Sequence, residues 1–224
     1  MYLEQNIKGL CAKFGVNYDA FLEDLGIETV ADMTVSDLEI VCEEYDTDLN
    51  ALLFKHLFKS DLLISKLKAI KLLVLDVDGV LTDGGMYFTE SGDQFKKFNT
   101  KDGMAILHLT KNKFPVAIIS SGFKADMVQR RAEMLGIQYC FVNRTPKIET
   151  LNSLCNELNL TLDNVAFIGD DINDLEVIKN VGFTACPRDA VNTIKSNVDV
   201  VLNKNGGDGC VRELIDFYIL DEPL

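Results

Sequence analysis

Hydrophobic positions in the first 66 residues recur at helical spacings. Leu10 and Phe14 are four residues apart, and Phe21 and Leu25 repeat that interval. A helix is predicted after residue 34, with Thr34 or Ser36 as its N-cap. The segment DTDLNALLFKHLFKSDLLISKL predicts one long amphipathic helix that begins at Thr47 or Asp48. Because no strand-like alternation occurs here, residues 1–66 are predicted to form a helical N-terminal segment.

From Ile70 onward, short apolar runs alternate with helical segments. IKLLVLDVDG is a continuous apolar run, typical of a strand buried on both faces, and residues 84–100 predict a β-hairpin that turns at Ser91 and Gly92. Further strands are predicted at 114–122, 137–142, 164–171, 182–187 and 198–202, with helices at 101–112, 124–136, 147–159, 173–182 and 212–220. This alternation predicts an α/β fold, a doubly wound, Rossmann-like parallel sheet over residues 67–224 with a small hairpin.

The charge of the chain restricts its partners. Its 35 acidic and 22 basic residues give a net charge of −13, and residues 1–60 hold 12 acidic residues against 4 lysines, a local charge of −8. We therefore expect no nucleic acid partner and no anionic membrane surface, since both require a basic footprint. The six scattered cysteines and the lack of a secretory signal or a long apolar run predict a cytoplasmic location.

Polar side chains with useful chemistry follow the predicted strands. Asp76 and Asp78 end the first, Ser120 ends the second, and Asp170 follows a later one. In doubly wound sheets these carboxyl ends form the ligand site. Carboxylates gathered there would repel one another unless a cation lies among them, and oxygen-only ligands favour Mg²⁺. Lys147, at the start of a predicted helix, and Ser120 could then bind an anion such as phosphate.

The ordered set DVDGVLTD, Ser120, Lys147 and GDDINDLEV resembles the haloacid dehalogenase superfamily of phosphohydrolases. Two further segments, DGGMYFTESGDQFKKFNTKDGMAI and GGDGCVRELIDFYIL, are similar to the 3-deoxy-manno-octulosonate (KDO) 8-phosphate phosphatases and equally to the nonulosonate 9-phosphate phosphatases. The likeness covers residues 70 to about 220. It implies a phosphatase of a sugar-acid phosphate, without a large cap domain, in lipopolysaccharide biosynthesis, and a homotetramer in which neighbours close each active site.

The resemblance also implies roles for individual residues. Asp76 would attack the phosphorus and form an aspartyl-phosphate, and Asp78 would act as general acid and then base. Mg²⁺ would be held by Asp76, by the backbone carbonyl of Asp78 and by Asp170. Ser120 and Lys147 would bind the phosphoryl oxygens. Supporting roles are expected for Thr82, Ser121, Gly122, Asp171 and Asp174, and contacts with substrate or a partner subunit for Lys96, Lys97, Lys101 and Arg212.

Several of these roles have competing interpretations. Asp171 is expected to lie near the metal, directly or through water, and Asp174 either orients Lys147 or caps the following helix. An equally good interpretation is that a solvated basic face is formed by Lys96, Lys97 and Lys101. Arg212 equally fits a surface ion pair.

Gly122 departs from the pattern of both phosphatase families. The octulosonate enzymes usually carry Arg at this position and the nonulosonate enzymes Glu, so the sugar acid stays open. A broader sugar phosphatase and a non-catalytic regulatory module are the remaining alternatives.

Residues 1–66 are a second departure, since typical members begin close to the strand of Asp76. TVSDLEIVCEEYDTDLNALLF faintly resembles the later helices of repressor-type helix-turn-helix modules. Its acidic charge opposes DNA binding, so we expect these helices to dock a protein partner or pack in an oligomer.

Overall fold

The computed structural model describes residues 2–54, 57–58, 61–122 and 125–220. The chain divides into two compact units, Met1–Ile64 and Ser65–Leu224. No helix in the described ranges is both long and apolar enough to span a membrane.

The N-terminal unit is built from short helices around its own core. The helices are α1 (Tyr2–Phe14), α2 (Tyr18–Leu25), α3 (Val35–Glu44), α4 (Leu49–Phe54) and α5 (Asp61–Lys68), which continues into the second unit, with a 3-10 turn at Val30–Asp32. Thr34 caps α3, because its Oγ1 accepts the N–H of Asp37 while Asp37 accepts the N–H of Thr34. Buried Ile7, Leu10 and Leu52 lie in the core.

The predicted long helix after Asp48 is wrong in its length. It begins as predicted, with Asp48 Oδ1 accepting the N–H of Ala51 over 2.9 Å. Helix α4 nevertheless ends at Phe54, and Leu57 lies outside any helix. The N–H of Leu57 donates to the buried side chain of Asn6 over 2.8 Å instead of to a carbonyl one helical turn earlier. Residues 55, 56, 59 and 60 of this prediction lie outside the described residues.

The second unit confirms the predicted doubly wound α/β fold. Its strands are β1 (Leu72–Leu75), β2 (Tyr87–Phe88), β3 (Gln94–Phe95), β4 (Val116–Ser120), β5 (Tyr139–Val142), β6 (Val165–Ile168), β7 (Phe183–Cys186) and β8 (Val200–Val201). Six of them form one parallel sheet in the order β5-β4-β1-β6-β7-β8. Strands β4 and β5, which follow β1 along the chain, lie on one side of β1 in the sheet, and β6 and the strands after it lie on the other side. The switch point therefore lies between β1 and β6.

Helices connect and cover this sheet. They are α6 (Thr100–Lys111), α7 (Asp126–Met134), α8 (Lys147–Leu158), α9 (Leu175–Ile178), α10 (Asn192–Lys195) and α11 (Cys210–Leu214). The predicted helix at 173–182 is shorter and is preceded by a 3-10 turn at Ile172–Asp174, α10 was not predicted, and the last helix continues as a wider turn over Ile215–Ile219. Strands β1 and β6 are buried at every position, as expected for a sheet covered on both faces.

The hairpin of β2 and β3 stands apart from the main sheet. Its strands pair antiparallel with each other only, Tyr87 opposite Phe95 and Phe88 opposite Gln94. The turn includes Gly92 at φ +82°, which explains the glycine there. Both aromatic rings of the first pair stack at 5.1 Å and stay partly exposed.

Candidate active site

Strand pairing brings the predicted carboxylates to one edge of the sheet. In the parallel register Leu75 lies opposite Ile168, so Asp76 and the Gly169–Asp170 pair follow adjacent strands on the same side. The N–H of Asp76 continues the ladder by donating to the carbonyl of Ile168 over 3.1 Å. Both acidic groups thus lie at the switch point, where doubly wound folds bind ligands.

Three carboxylates and one ammonium form the centre of the site. Asp76, Asp170 and Asp174 each offer an oxygen within 4.8 Å of the others. Lys147 Nζ lies 2.7 Å from Asp76 Oδ1 and 2.6 Å from Asp174 Oδ1. Asp76, Asp174 and Lys147 are all buried, Asp174 completely. Lys147 therefore neutralises part of an acidic cluster in which only Asp170 is partly exposed.

Burial and like charge dominate the electrostatics of the cluster. Burial, and then the carboxylate of Asp174, raise the pKa of Asp76 to about 8, although Lys147 pulls it down. Burial, Asp174 and Asp171 raise the pKa of Asp170 to about 7. Burial opposes the charge of Lys147, but the carboxylates of Asp76 and Asp174 outweigh it and raise its pKa. One ammonium is thus insufficient for three carboxylates near neutral pH.

This oxygen-only cluster fits a hard divalent cation. Asp76, Asp170 and Asp174 could supply carboxylate ligands, and their raised pKa values show that a further positive charge would stabilise their ionised forms. The predicted metal set includes Asp78 through its backbone carbonyl and stays a prediction. The carboxylate of Asp78 is half-exposed and contacts the ammonium of Lys96.

The loop after β1 is shaped by Gly79. Its φ of +84° is unfavourable for other residues, and a Cβ there would lie 2.0 Å from Asp170 Oδ2. Thr82 is buried, and its Oγ1 donates to the carbonyl of Val77 and accepts the N–H of Gly84, each over 3.3 Å. The Thr82 side chain therefore connects the two ends of the loop that contains Asp78.

The predicted phosphate-binding residues lie at the same edge. Ser120 is the buried last residue of β4, the neighbour of β1, and its Oγ accepts the N–H of Gly122 over 3.3 Å. Ser121 is exposed. Lys147 is the first residue of α8, where its ammonium reaches back to Asp76. Sequence and topology thus bring a hydroxyl, an ammonium and the nucleophile candidate to one side of the sheet.

Asp171 and Asp174 differ in their surroundings. Asp171 is exposed, and its Oδ1 accepts the N–H of Ile172 over 2.7 Å at the start of the 3-10 turn. Asp174 makes no capping hydrogen bond to α9. It accepts the N–H of Asp170 over 3.1 Å and contacts Lys147, so it is placed to orient Lys147, which stays a prediction.

The basic candidates of the hairpin and of α6 lie in different environments. Lys96 is largely buried and pairs with Asp78. Lys97 is exposed, with its Nζ 3.7 Å from Asp83 Oδ2, and Lys101 is exposed in the first turn of α6. Among the three, Lys96 is therefore the one that contacts a predicted catalytic carboxylate, that of Asp78, within one chain.

The tail candidate, Arg212, lies in α11. Its Nε lies 2.5 Å from Asp216 Oδ2. Within one chain Arg212 thus forms an ion pair, but this pair is partly buried, whereas the predicted alternative was a pair on the surface. Sequence reasoning missed Asn99 and Asp102, which contact this tail. Asp102 is 2% exposed although its position in the first turn of α6 is typical of a solvated residue, so the sequence carried little signal for it.

Several known proteins with similar sequences or structures are named as phosphatases. The family model described as haloacid dehalogenase-like hydrolase matches residues 140–214. The 3-deoxy-D-manno-octulosonate 8-phosphate phosphatase of Escherichia coli K12 is 38% identical over 157 residues, which cover 70% of this chain and 83% of the relative.

Two solved structures have the same fold. One is a probable phosphatase of the yrbi family from Pseudomonas syringae, with a TM-score of 0.68 and 41% identity, covering 71% of this chain and 90% of that one. The other is the 3-deoxy-D-manno-octulosonate 8-phosphate phosphatase of Moraxella catarrhalis in complex with magnesium, phosphate and KDO. It has a TM-score of 0.69 and 31% identity, and the match covers 73% of this chain and 94% of that one.

Proposed function

The chain belongs to the haloacid dehalogenase-like hydrolases and, among them, to the family of the KDO 8-phosphate phosphatases, and from this membership we infer that it hydrolyses a sugar-acid phosphate with Mg²⁺. The observation that carries the proposal is the cluster of Asp76, Asp170 and Asp174 at the sheet's switch point, where the buried ammonium of Lys147 contacts Asp76 and Asp174. KDO 8-phosphate is the substrate that the relatives' names favour, with a nonulosonate 9-phosphate as the alternative because Gly122 matches neither family.

The reaction proceeds in two displacements at phosphorus. Asp76 forms the new P–O bond while the bond to the sugar oxygen breaks, and Asp78 gives its proton to the leaving alkoxide. Asp78 then removes a proton from water, which attacks the aspartyl-phosphate and releases inorganic phosphate, regenerating Asp76. When bound, Mg²⁺ supplies positive charge that offsets the repulsion between the phosphoryl group and the carboxylates.

The surrounding residues hold these groups in position. Lys147, with Asp174 fixing its ammonium, binds a phosphoryl oxygen and Asp76 together, and Ser120 donates a hydrogen bond to another. Lys96 keeps the Asp78 side chain near the leaving group. Asp76, the backbone carbonyl of Asp78 and Asp170 would hold the cation.

Asp76→Asn tests the covalent mechanism. We expect kcat to fall by roughly a thousandfold or more on a panel of KDO 8-phosphate and nonulosonate 9-phosphates, because the amide is not a nucleophile. Wild-type activity should require Mg²⁺ and disappear with EDTA. The matched control is Asp163→Asn, an exposed aspartate preceding β6, which should retain wild-type rates. Full activity of Asp76→Asn would overturn the mechanism, and inactivity of the wild type on every substrate would overturn the substrate class.

We propose a homotetramer in which the hairpin of β2 and β3 packs on neighbouring subunits. The hairpin exposes Met86, Phe88 and Phe95, each more than half accessible, and two-stranded hairpins have little stability alone. In such a tetramer a neighbour's active site could be contacted by Lys97, Lys101 and Arg212. Arg212 would then give up its ion pair with Asp216 for the contact with the neighbour.

We propose further that the N-terminal helices dock a basic protein partner. A shallow, open depression combines the buried Leu22 and the half-buried Ile27 with exposed acidic side chains, which complements a positively charged segment with an apolar anchor. It is lined by Asp19, Leu22, Glu23, Gly26, Ile27 and Glu28. Glu23→Lys with Glu28→Lys should abolish partner binding, whereas Glu39→Lys with Glu43→Lys on α3 should leave it. Equal binding by both double variants would contradict the docking site.

A cytoplasmic location is part of the proposal. It is supported by the six cysteines, all of which are free thiols in the structure.

A further inference from the structure

Residues 205–209, the glycine-rich segment between β8 and α11, lie directly against the loop that carries Asp78. The N–H of Gly207 donates to the carbonyl of Val80 over 2.9 Å, and Cys210 Sγ donates to the same carbonyl over 3.3 Å. A Cβ on Gly206 would lie 1.9 Å from the carbonyl oxygen of Gly79, so a larger residue would push the two backbones apart. The segment therefore supports the backbone of the Asp78 loop by direct contact.

Two side chains at the start of α6 hold this supporting segment. Asn99 donates from Nδ2 to the carbonyl of Gly207 over 3.1 Å, while its Oδ1 caps α6 by accepting the N–H of Lys101 over 2.8 Å. The buried carboxylate of Asp102 accepts the N–H of Arg212 over 2.7 Å, where α11 begins. Asn99 and Asp102 thus hold both ends of residues 207–212.

The supported loop sets the geometry between the reacting groups. Gly79 lies against Asp170, since a Cβ there would be 2.0 Å from Asp170 Oδ2, and Asp78 is the residue before it. A small movement of Gly79 would therefore change the position of Asp78 relative to Asp170. Displacements of about 1 Å in a catalytic group can lower rates by roughly a hundredfold.

We propose that Asn99 and Asp102 are positioning residues for the phosphatase reaction, acting through the Gly206–Gly207 backbone on the loop of Asp78. The inference rests on the proposed function, because Asp76 and Asp78 are the reacting groups only there. In the described part of the chain, neither Asn99 nor Asp102 makes a hydrogen bond to Asp76, Asp78 or Asp170. Their influence must therefore pass through the supporting segment.

Asn99→Asp is the decisive variant. The aspartate keeps an oxygen that can cap α6 by accepting the N–H of Lys101. It loses the Nδ2 donor to the carbonyl of Gly207, and its carboxylate would repel that carbonyl. We expect kcat to fall roughly tenfold or more while KM stays within about twofold, since the change affects the reacting groups more than ground-state binding.

A matched control occurs at the opposite edge of the sheet. Asn164, just before β6, likewise uses Oδ1 to accept the N–H of Thr161 and Nδ2 to donate to the carbonyl of Ala69. Asn164→Asp makes the same chemical change with the same loss of a donor, and its kcat should stay within about twofold of wild type. Equal kcat losses in Asn99→Asp and Asn164→Asp would overturn the proposal.

Asp102 provides a second and independent variant. Asp102→Ala removes the acceptor for Arg212 and should lower kcat as Asn99→Asp does, whereas Asp102→Asn keeps an acceptor oxygen and should recover most of that loss. Equal loss in both Asp102 variants would contradict positioning through this hydrogen bond.

Hydrogen exchange separates this inference from the proposed function. Residues 77–84 should exchange faster in Asn99→Asp than in Asn164→Asp, whatever substrate the enzyme uses. Unchanged exchange in 77–84 would overturn the positioning role. Faster exchange there in a chain with no phosphatase activity would uphold the structural link and overturn the proposed function alone.

Discussion

Lys147 is the residue on which the acidic site depends most, because its ammonium contacts both Asp76 and Asp174 without solvent. It offsets only part of their charge, as the raised pKa values of Asp76 and Asp170 show. Raised carboxyl pKa values mean that the folded, cation-free protein binds protons more strongly than the unfolded chain does. Since unfolded aspartates titrate near 4, the contribution of these groups to stability falls as the pH rises from about 4 to 8.

Mg²⁺ should therefore stabilise the protein more at pH 8 than at pH 6. Protons compete with the cation for Asp76, whose pKa is about 8, and for Asp170, whose pKa is about 7. If the affinity of the protein for Mg²⁺ is tenfold higher at pH 8 than at pH 6, saturating Mg²⁺ should raise Tm by about 3–5 °C more at pH 8 than at pH 6. Thermal unfolding with and without Mg²⁺ measures it. In Asp170→Asn most of the difference between the two pH values in this Mg²⁺-induced increase in Tm should disappear. An equal increase in Tm at both pH values in the wild type would contradict the prediction.

Gly122 should control the choice of sugar acid. A Cβ there would make ordinary contacts, 3.4 Å from Ser120 Oγ and 3.5 Å from Val142 Cγ1, so the backbone at this position does not require glycine. By the family resemblance, Gly122→Arg should raise kcat/KM for KDO 8-phosphate relative to nonulosonate 9-phosphates by roughly tenfold, and Gly122→Glu should shift the ratio the other way. Assays on both substrates measure the ratio. The same ratio in both variants would show that this position does not select the substrate.

At the scale of elements, a buried side chain takes the place of a helical hydrogen bond. The amphipathic pattern after Asp48 continues past Phe54, yet Leu57 lies outside the helix and its N–H donates to Asn6. Asn6 also donates to the carbonyl of Leu52 over 2.8 Å, so one buried amide connects α1 with the end of α4.

Asn6→Leu should destabilise the N-terminal unit by about 2–4 kcal/mol, because it leaves a buried carbonyl and an N–H without partners. Urea unfolding followed by circular dichroism measures the free energy of unfolding. Gln5→Leu, an adjacent and exposed position on the same helix, should cost less than about 0.5 kcal/mol. Similar losses in the two variants would show that the Asn6 hydrogen bonds are not what holds α4.

At the scale of the whole molecule, the single chain leaves the aromatic side chains of the hairpin largely uncovered. Phe88 and Phe95 are each 54% exposed, although β1 and β6 are entirely buried. A folded chain seldom leaves such aromatic residues together on a short isolated hairpin without another surface to cover them.

Phe88→Ser with Phe95→Ser should convert the proposed tetramer into smaller species without unfolding the chain. The reason is the loss of apolar area that subunit contacts would bury. Light scattering after size-exclusion chromatography gives the mass. Met134→Ser, at an exposed position on α7, is the control that should keep the tetramer. A mass unchanged by the double substitution would exclude the hairpin from the subunit interface.

The sequence by itself determined the parallel α/β fold and pointed to its acidic edge. Apolar runs such as LLVL and VAFI reveal buried strands, and polar residues directly after strands lie at one edge whatever the details of packing. Only the tertiary structure decided that Asp174 contacts Lys147, that Asn6 accepts the N–H of Leu57, and that Asn99 and Asp102 hold residues 207–212. These are contacts between residues distant in sequence, and local periodicity carries no information about which distant backbone groups need a partner.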